Sequence, residues 1–345
     1  MGPLFSYAAL AWFLATIFSL LLLWLGKKIQ VYDQDVHDLK NHRQVVTLGG
    51  LGIYFAFWTA FYFFNPSFFL VQSLLALFLA STLVLITGIL DDLYNLKPWL
   101  KSAGVLLAAN IIYFWANVSF STTLLPTVSD SLFQIITYLL TMVWIFLMTN
   151  AINLIDGLDG LASSVTLISL ITLIVTTYFF SISISLSILV MLLILSGAIL
   201  GFIPFNWQPA KIYLGDTGAL FIGFMYASLS VTNLKNASFY SLAVPVLIYL
   251  VPLFDAFFAV LRRFMTGKSI VVADHDHVHH RLLRLGLKEW QVVAIMIFIT
   301  LLFSSLAILT QLFASARQYI LMGAMALVLL LLLIMIRINK TSKKD

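Results

Sequence analysis

Asn150-Ala-Ile-Asn-Leu-Ile-Asp-Gly-Leu-Asp-Gly-Leu161 interrupts two long apolar runs, residues 132–149 before it and 160–179 after it. Its oxygen-bearing side chains, Asn150, Asn153, Asp156 and Asp159, recur at a spacing of three. Only a 3₁₀ backbone would stack all of them on one face. On a regular α-helix each step of three falls about 60° short of a turn, which sends Asn150 and Asp159 to opposite sides. Gly157 and Gly160 therefore predict a break. One helix ends near Asn153, the chain turns at Asp156-Gly157, and the next helix starts near Asp159, a candidate N-cap.

Outward from this break the chain is apolar. Of 345 residues 62% are hydrophobic and 10% charged, against about 45–50% and 25% in soluble domains. The expected fold is all-α, a polytopic integral membrane bundle in a single domain, 1–345. A span needs roughly 20 apolar residues. Candidates are 4–25, 48–65, 69–90, 99–117, 132–149, 160–179, 183–203, 218–233, 240–261, 290–312 and 318–336, about eleven transmembrane helices. The first lacks a small-residue cleavage site and is too long for a signal-peptide core. Met1-Gly2-Pro3-Leu4-Phe5-Ser6 formally fits a myristoylation pattern, but the span that follows makes a lipid redundant.

Splitting 160–203 into two spans fixes the parity of everything downstream. With that split, one side of the membrane receives 17 of the 19 Lys and Arg, leaving only Lys235 and Arg317 opposite. The positive-inside rule then puts the N-terminus out and the C-terminus in the cytoplasm. Every histidine, and every acid except Asp130, falls in or near the cytoplasmic half. The net charge of +5 thus reports orientation and anionic lipids or substrates, not nucleic acid. With no cysteine, disulfides, thiolate chemistry and cysteine zinc sites are excluded.

The cytoplasmic loops carry the polar clusters. Lys27, Lys28, His37, Lys40, His42 and Arg43 read as an orientation signal at headgroups. Gly49-Gly50-x-Gly52 allows close backbone approach to a neighbour or ligand. Asp91-Asp92 closes a span, with Lys97 and Lys101 just beyond. Helical neighbours point about 100° apart, so these carboxylates should divide their duties. One is expected to face the reaction and the other to orient a cation or lysine. Asp216, between Gly215 and Thr217-Gly218, suits a cation ligand or a helix cap.

The last basic loop holds Arg262-Arg263, Gly267-Lys268-Ser269 and Asp274-His-Asp-His277-Val-His279-His280-Arg281. Gly267-Lys268-Ser269 is no P-loop, because Arg262 occupies the required glycine. The histidines could form a zinc site, but the arginines favour an anion. In a helix, His277, His280, Arg281 and Arg284 share a face suited to a phosphate. Asp and Asn oxygens select a hard cation, Mg²⁺ or Mn²⁺. At an interface between cytosolic metabolites and lipid, the natural chemistry is phosphoryl transfer from a soluble nucleotide to a lipid. A secondary transporter is the competing reading. It calls for mid-span carboxylates and inverted repeats; here the acids gather at one interface and no repeat is visible.

Five motifs now carry a resemblance over residues 30–285: Asp91-Asp92, the 150–161 stretch, Gly215-Asp216-x-Gly218, Pro252-Leu-Phe-Asp255 and Asp274…His277-Val-His-His-Arg281. In this order they resemble the polyprenyl-phosphate N-acetylhexosamine-1-phosphate transferases, in the superfamily of the phospho-MurNAc-pentapeptide translocase. The H-x-H-H-R form is similar to the N-acetylglucosamine-1-phosphate branch. The resemblance implies transfer of GlcNAc-1-phosphate from UDP-GlcNAc to undecaprenyl phosphate at the inner (cytoplasmic) membrane, with Mg²⁺ and release of UMP, for cell-envelope polysaccharide. UDP-GalNAc and UDP-MurNAc-pentapeptide are alternative donors, and a homodimer is compatible with it.

Carried over by position, Asp216 and Asn153 are the expected metal ligands. Asp91 or Asp92 would deprotonate or position the lipid phosphate. Asp156 and Asp159 would border the uridine. Arg263, His277, His279, His280 and Arg281 would hold the sugar-phosphate, with Asn150 and Lys101 completing the substrate contacts. Val46-Thr47 replace the family's usual Pro-Arg before Gly49-Gly50, and Ala219 replaces a usual Ser. Both departures bear on specificity and leave the expected metal ligands intact.

Overall fold

The computed structural model describes residues 2–32, 45–120, 130–180, 186–233, 246–250, 252–254 and 278–341. Among them there is no β-strand, only isolated bridges pairing Val46 with Tyr32 and with Ile212. The helices are α1 (Gly2–Ile29), α2 (Gly49–Phe64), α3 (Gln72–Tyr94), α4 (Pro98–Trp115), α5 (Asp130–Ile155), α6 (Leu161–Phe180), α7 (Leu186–Asn206), α8 (Gly215–Asn233), α9 (Val278–Arg284), α10 (Glu289–Leu312) and α11 (Arg317–Thr341). Hydrocarbon offers no partner to backbone N–H and C=O groups, so apolar runs of this length satisfy them within a helix.

Among the described residues six helical segments are long and apolar enough to cross a membrane: Leu4–Ile29, Gln72–Tyr94, Ser131–Ile155, Leu161–Phe180, Leu186–Asn206 and Glu289–Leu312. Gly49–Phe64 and Arg317–Leu331 are shorter apolar helices. The expected spans 99–117 and 218–233 coincide with α4 and α8. Of the expected span 240–261, residues 246–248 and 252–254 are helical; much of the rest, with Asp255, lies outside the described residues. Large apolar side chains face outward along the bundle, including Leu20, Trp24, Phe63, Phe114, Phe179 and Phe298. A water-soluble surface would not tolerate apolar patches of this extent. This is a multi-pass membrane protein.

Helix α8 is the axis of the bundle. It packs against α2, α3, α5, α6 and α7, and Ala219, Leu220, Phe221, Ile222, Phe224, Met225 and Tyr226 are fully buried. Its first turn is gripped closely. A Cβ on Gly50 of α2 would lie 2.2 Å from the backbone nitrogen of Gly218, and one on Gly88 of α3 would lie 2.5 Å from Cα of Thr217. The Gly49–Gly52 cluster thus serves a neighbouring helix. The same backbone is tied by hydrogen bonds from Gly49 N–H to Tyr213 O and from Gly50 N–H to Leu214 O. At the periphery Gly197 and Gly201 of α7 lie against the carbonyls of Ala8 and Trp12 in α1, the small-residue packing expected between membrane helices.

Candidate functional site

The site forms where α3, α4, α5 and α8 converge. Helix α3 ends at Tyr94 and is closed by Asn95 in the left-handed region (φ 48°), whose N–H donates to Asp91 O. Three residues on, Pro98 opens α4 at a position where a missing N–H does no harm. This short corner folds α4 back along α3. The two helices then lock closely, for a Cβ on Gly104 would meet Thr87 Oγ1 at 2.3 Å. One turn nearer the corner, Lys101 lands opposite Asp91.

Asp91 and Asp92 point to different neighbours, as their adjacency requires. Asp91 is 6% exposed; its Oδ2 lies 2.6 Å from Lys101 Nζ, and its Oδ1 accepts the N–H of Leu96 at 2.9 Å. Asp92 turns to α8. Its Oδ1 accepts Asp216 N–H at 2.8 Å, and its Oδ2 accepts Thr217 N–H at 3.0 Å and Thr217 Oγ1–H at 2.5 Å. A carboxylate at these free N–H groups is favoured by hydrogen bonding and by the helix dipole. Asp92 is therefore the cap of α8, supplied from another helix. Gly215 (φ 69°) makes the turn, and a Cβ there would meet Asp92 Oδ2 at 2.9 Å.

So positioned, Asp216 presents its Oδ1 to two donors. Lys101 Nζ approaches at 2.7 Å, and the Nδ2 of Asn153 from α5 also donates to it. Lys101 thus bridges Asp91 and Asp216, with 16% of its side chain exposed. Helix α5 continues through Asn150 and Asn153 to Ile155, the chain turns over 156–160, and α6 begins at Leu161. The division of the 150–161 stretch across a break is as expected. Asp156, half-buried in that turn, feels the charges of Asp216, Asp92 and Asp159. Withdrawal from water, and then these like charges, push its carboxyl well above the ordinary carboxylate range.

Other expected residues have partners of their own. Asn150 donates to Phe146 O within its own helix. Asp159, a candidate cap for α6, instead places Oδ2 on the N–H of Ala210, pinning the loop before α8. His280 and Arg281 are on α9, where with Arg284 they occupy neighbouring helical positions. The backbone of His279 is in the same helix. Arg263 and His277 lie outside the described residues.

Sequence reasoning passed over Thr217, though a hydroxyl between Asp216 and Gly218 at a helix start was a usable signal. It also passed over buried Asn206, whose Oδ1 accepts from Ser163 Oγ and whose Nδ2 donates to Ile212 O.

A divalent cation fits this chemistry. The convergent groups are hard oxygens, and an amide flip of Asn153 exchanges its nitrogen for an oxygen in the same place. Among the described residues no three His, Asp or Glu side chains cluster as a complete metal cage. Asp216 and Asn153 are a partial oxygen set of the kind that Mg²⁺ commonly completes with substrate phosphates.

The sequence profile of glycosyl transferase family 4 matches residues 74–233, which takes in Asp91, Asp92, Lys101, Asn153 and Asp216. The chain is 30% identical over 284 residues to the "Probable undecaprenyl-phosphate N-acetylglucosaminyl 1-phosphate transferase" of Bacillus subtilis, covering 81% of this chain and 77% of that one. It is 27% identical over 301 residues to the undecaprenyl-phosphate alpha-N-acetylglucosaminyl 1-phosphate transferase of Thermotoga maritima, covering 87% and 88%. With the decaprenyl-phosphate N-acetylglucosaminephosphotransferase of Mycobacterium leprae it shares 27% identity over 287 residues, 76% and 71% of the two chains. The chain belongs to glycosyl transferase family 4, in its polyprenyl-phosphate N-acetylglucosamine-1-phosphate transferase branch, and is a membrane-embedded phospho-sugar transferase.

Proposed function

We propose that this enzyme transfers N-acetylglucosamine-1-phosphate from UDP-GlcNAc to undecaprenyl phosphate, releasing UMP and initiating a lipid-linked cell-envelope polysaccharide. The names of the Bacillus and Thermotoga relatives support the sugar and the lipid. The observation that carries the chemistry is Lys101 set between Asp91 and Asp216, with Asn153 on the same Asp216 oxygen. This joins a cation and hard oxygen ligands at the ends of four helices.

In the reaction an oxygen of the lipid phosphate attacks the sugar-bearing phosphorus of the donor. A new P–O–P linkage forms as the bond to the bridging oxygen breaks, and its electron pair leaves with UMP. The second ionisation of a phosphate monoester lies near pKa ~6, so the acceptor is largely dianionic at neutral pH and needs little help from a base. Asp91 is accordingly assigned to holding Lys101 for the phosphates, and Asp92 to holding α8. Mg²⁺, or Mn²⁺, bound by Asp216 and Oδ1 of Asn153 would neutralise charge developing on the donor pyrophosphate. Asn150, Asp156 and Asp159 are assigned to the nucleotide side, and Arg263, His277, His279, His280 and Arg281 to the sugar-phosphate.

The basic-residue asymmetry supports eleven spans with the N-terminus outside and the site at the cytoplasmic face of the inner membrane. A transferase family leaves the transporter reading without support. The test is a donor panel of UDP-GlcNAc, UDP-GalNAc and UDP-MurNAc-pentapeptide with undecaprenyl phosphate, with and without chelator. UMP release with UDP-GlcNAc alone, abolished by excess EDTA, is the expected result. Preference for another donor overturns the sugar, and full turnover in EDTA overturns the metal.

A further inference from the structure

Lys101 is oddly placed for a helical lysine. Pro98 is the first residue of α4, so Lys101 lies just beyond the first turn, toward the helix end whose dipole repels positive charge. The ammonium is nevertheless mostly enclosed, 2.6 Å from Asp91 Oδ2 and 2.7 Å from Asp216 Oδ1. Asp92 and Asp156 bring two more carboxyl groups within reach of the charge on Asp216. Carboxylates gathered this closely at a membrane interface are unstable without a counter-charge. The oxygen that Lys101 occupies, Asp216 Oδ1, is also the one on which Asn153 converges, and hence the one a cation would take.

The two donors on that oxygen differ in what they can do when a cation arrives. Asn153 can rotate its amide and offer an oxygen in place of a nitrogen. Lys101 has donors only; it has to leave. Its four-carbon stem allows this, while the close contact of Gly104 with Thr87 keeps the helix that carries it in register.

Resting on the assignment of Asp216 and Asn153 as metal ligands, we propose that Lys101 is the resident counter-cation of the metal-free site. It holds Asp91 and Asp216 together until a divalent cation displaces it from Asp216. It then stays on Asp91, with its remaining N–H donors turned to the phosphates of the substrate. The lysine and the metal are competitors for one carboxylate oxygen before they are partners in binding phosphate.

The experiment is a Mn²⁺ titration of the purified full-length protein in detergent without substrates, reading free Mn²⁺ by electron paramagnetic resonance. It compares wild type, Lys101→Met, Lys101→Gln, Lys101→Arg and Asp216→Asn. Lys101→Met and Lys101→Gln are expected to bind Mn²⁺ at least about tenfold tighter, well within the repulsion between charges a few ångströms apart. Lys101→Arg, which keeps the charge, is expected to bind no tighter than wild type. The metal-free Met and Gln variants are expected to melt earlier than wild type and to recover more on adding Mn²⁺. Unchanged or weaker Mn²⁺ binding by both neutral variants, with binding lost in Asp216→Asn, overturns the competition and leaves the metal assignment standing. Equal binding by Asp216→Asn and wild type overturns the metal assignment and the competition with it. An absence of binding by every chain, the neutral variants included, also overturns the competition.

Discussion

Asp92→Asn separates a cap from a catalytic carboxylate. The native carboxylate accepts three hydrogen bonds from the start of α8, at 2.8, 3.0 and 2.5 Å. Asparagine keeps one acceptor oxygen and turns an NH₂ toward the remaining donors, so at least one backbone N–H loses its partner. Losing a hydrogen bond to a charged group costs about 1.5–3 kcal/mol, and removing the charge from a helix N-terminus about 0.3–1 kcal/mol more. The expected destabilisation is about 2–4 kcal/mol. Asp91→Asn is expected to lose less than about 1 kcal/mol, because Oδ1 can still accept from Leu96 N–H and Lys101 keeps Asp216. Thermal unfolding of the metal-free protein, followed by tryptophan fluorescence, gives the ranking, and a double-mutant cycle with Thr217→Val should show strong non-additivity. Both aspartate variants lose turnover on this reasoning, Asp92→Asn through a displaced Asp216 and Asp91→Asn through a released Lys101. Equal stability of Asp92→Asn and wild type, or additive effects with Thr217→Val, would refute the cap.

Three further substitutions probe the packing and the charge. Gly50→Ala puts a methyl 2.2 Å from Gly218 N and 2.7 Å from Thr217 C; backbone cannot swing aside as a side chain does, so destabilisation of about 3 kcal/mol is expected. Gly323→Ala in α11, with nothing within 4 Å, should be neutral or mildly stabilising by the same unfolding assay. Asp156 has its folded-state pKa raised above an unfolded value of about 3.9. The folded protein binds the extra proton, so this stability is full below about pH 4 and is lost as pH rises through the folded pKa. Asp156→Asn should therefore raise the melting temperature at neutral pH in chelator, with the gain vanishing toward pH 4; a pH-independent difference would count against the burial and crowding invoked.

The elements were largely legible in the sequence, because a bilayer sets the length of its spans and excludes charge from them. The same locality made the 150–161 break readable: Gly157 and Gly160 could not continue a helix as readily as their neighbours. What escaped were partners chosen by packing between distant segments. Asp159 looked like a cap for the helix beside it, yet it holds Ala210 across the loop before α8. The glycines at 49–52 promised close approach to a neighbour or a ligand, and only Gly218 standing opposite Gly50 selects the neighbour. Asn206 gave no periodic or motif signal of its own, and the hydroxyl of Thr217 marked a helix start without naming its partner; their value depends on Ser163 and Asp92.

Adjacent carboxylates show where such reading stops. That Asp91 and Asp92 must diverge by about 100° follows from one helix alone. Which of them meets Lys101 follows from the corner at Asn95–Pro98 that folds α4 onto α3. Which caps α8 follows from Gly88, whose missing side chain lets the first turn of α8 lie directly on α3. Gly88 stands one turn before Asp92 on the same helix, as Thr87 stands one turn before Asp91. Each carboxylate thus has its own close contact beneath it, Thr87 with Gly104 and Gly88 with Thr217. The assignment of Asp91 to the lysine and Asp92 to the helix cap is a consequence of two small-residue contacts, and exchanging the roles would require both contacts to move.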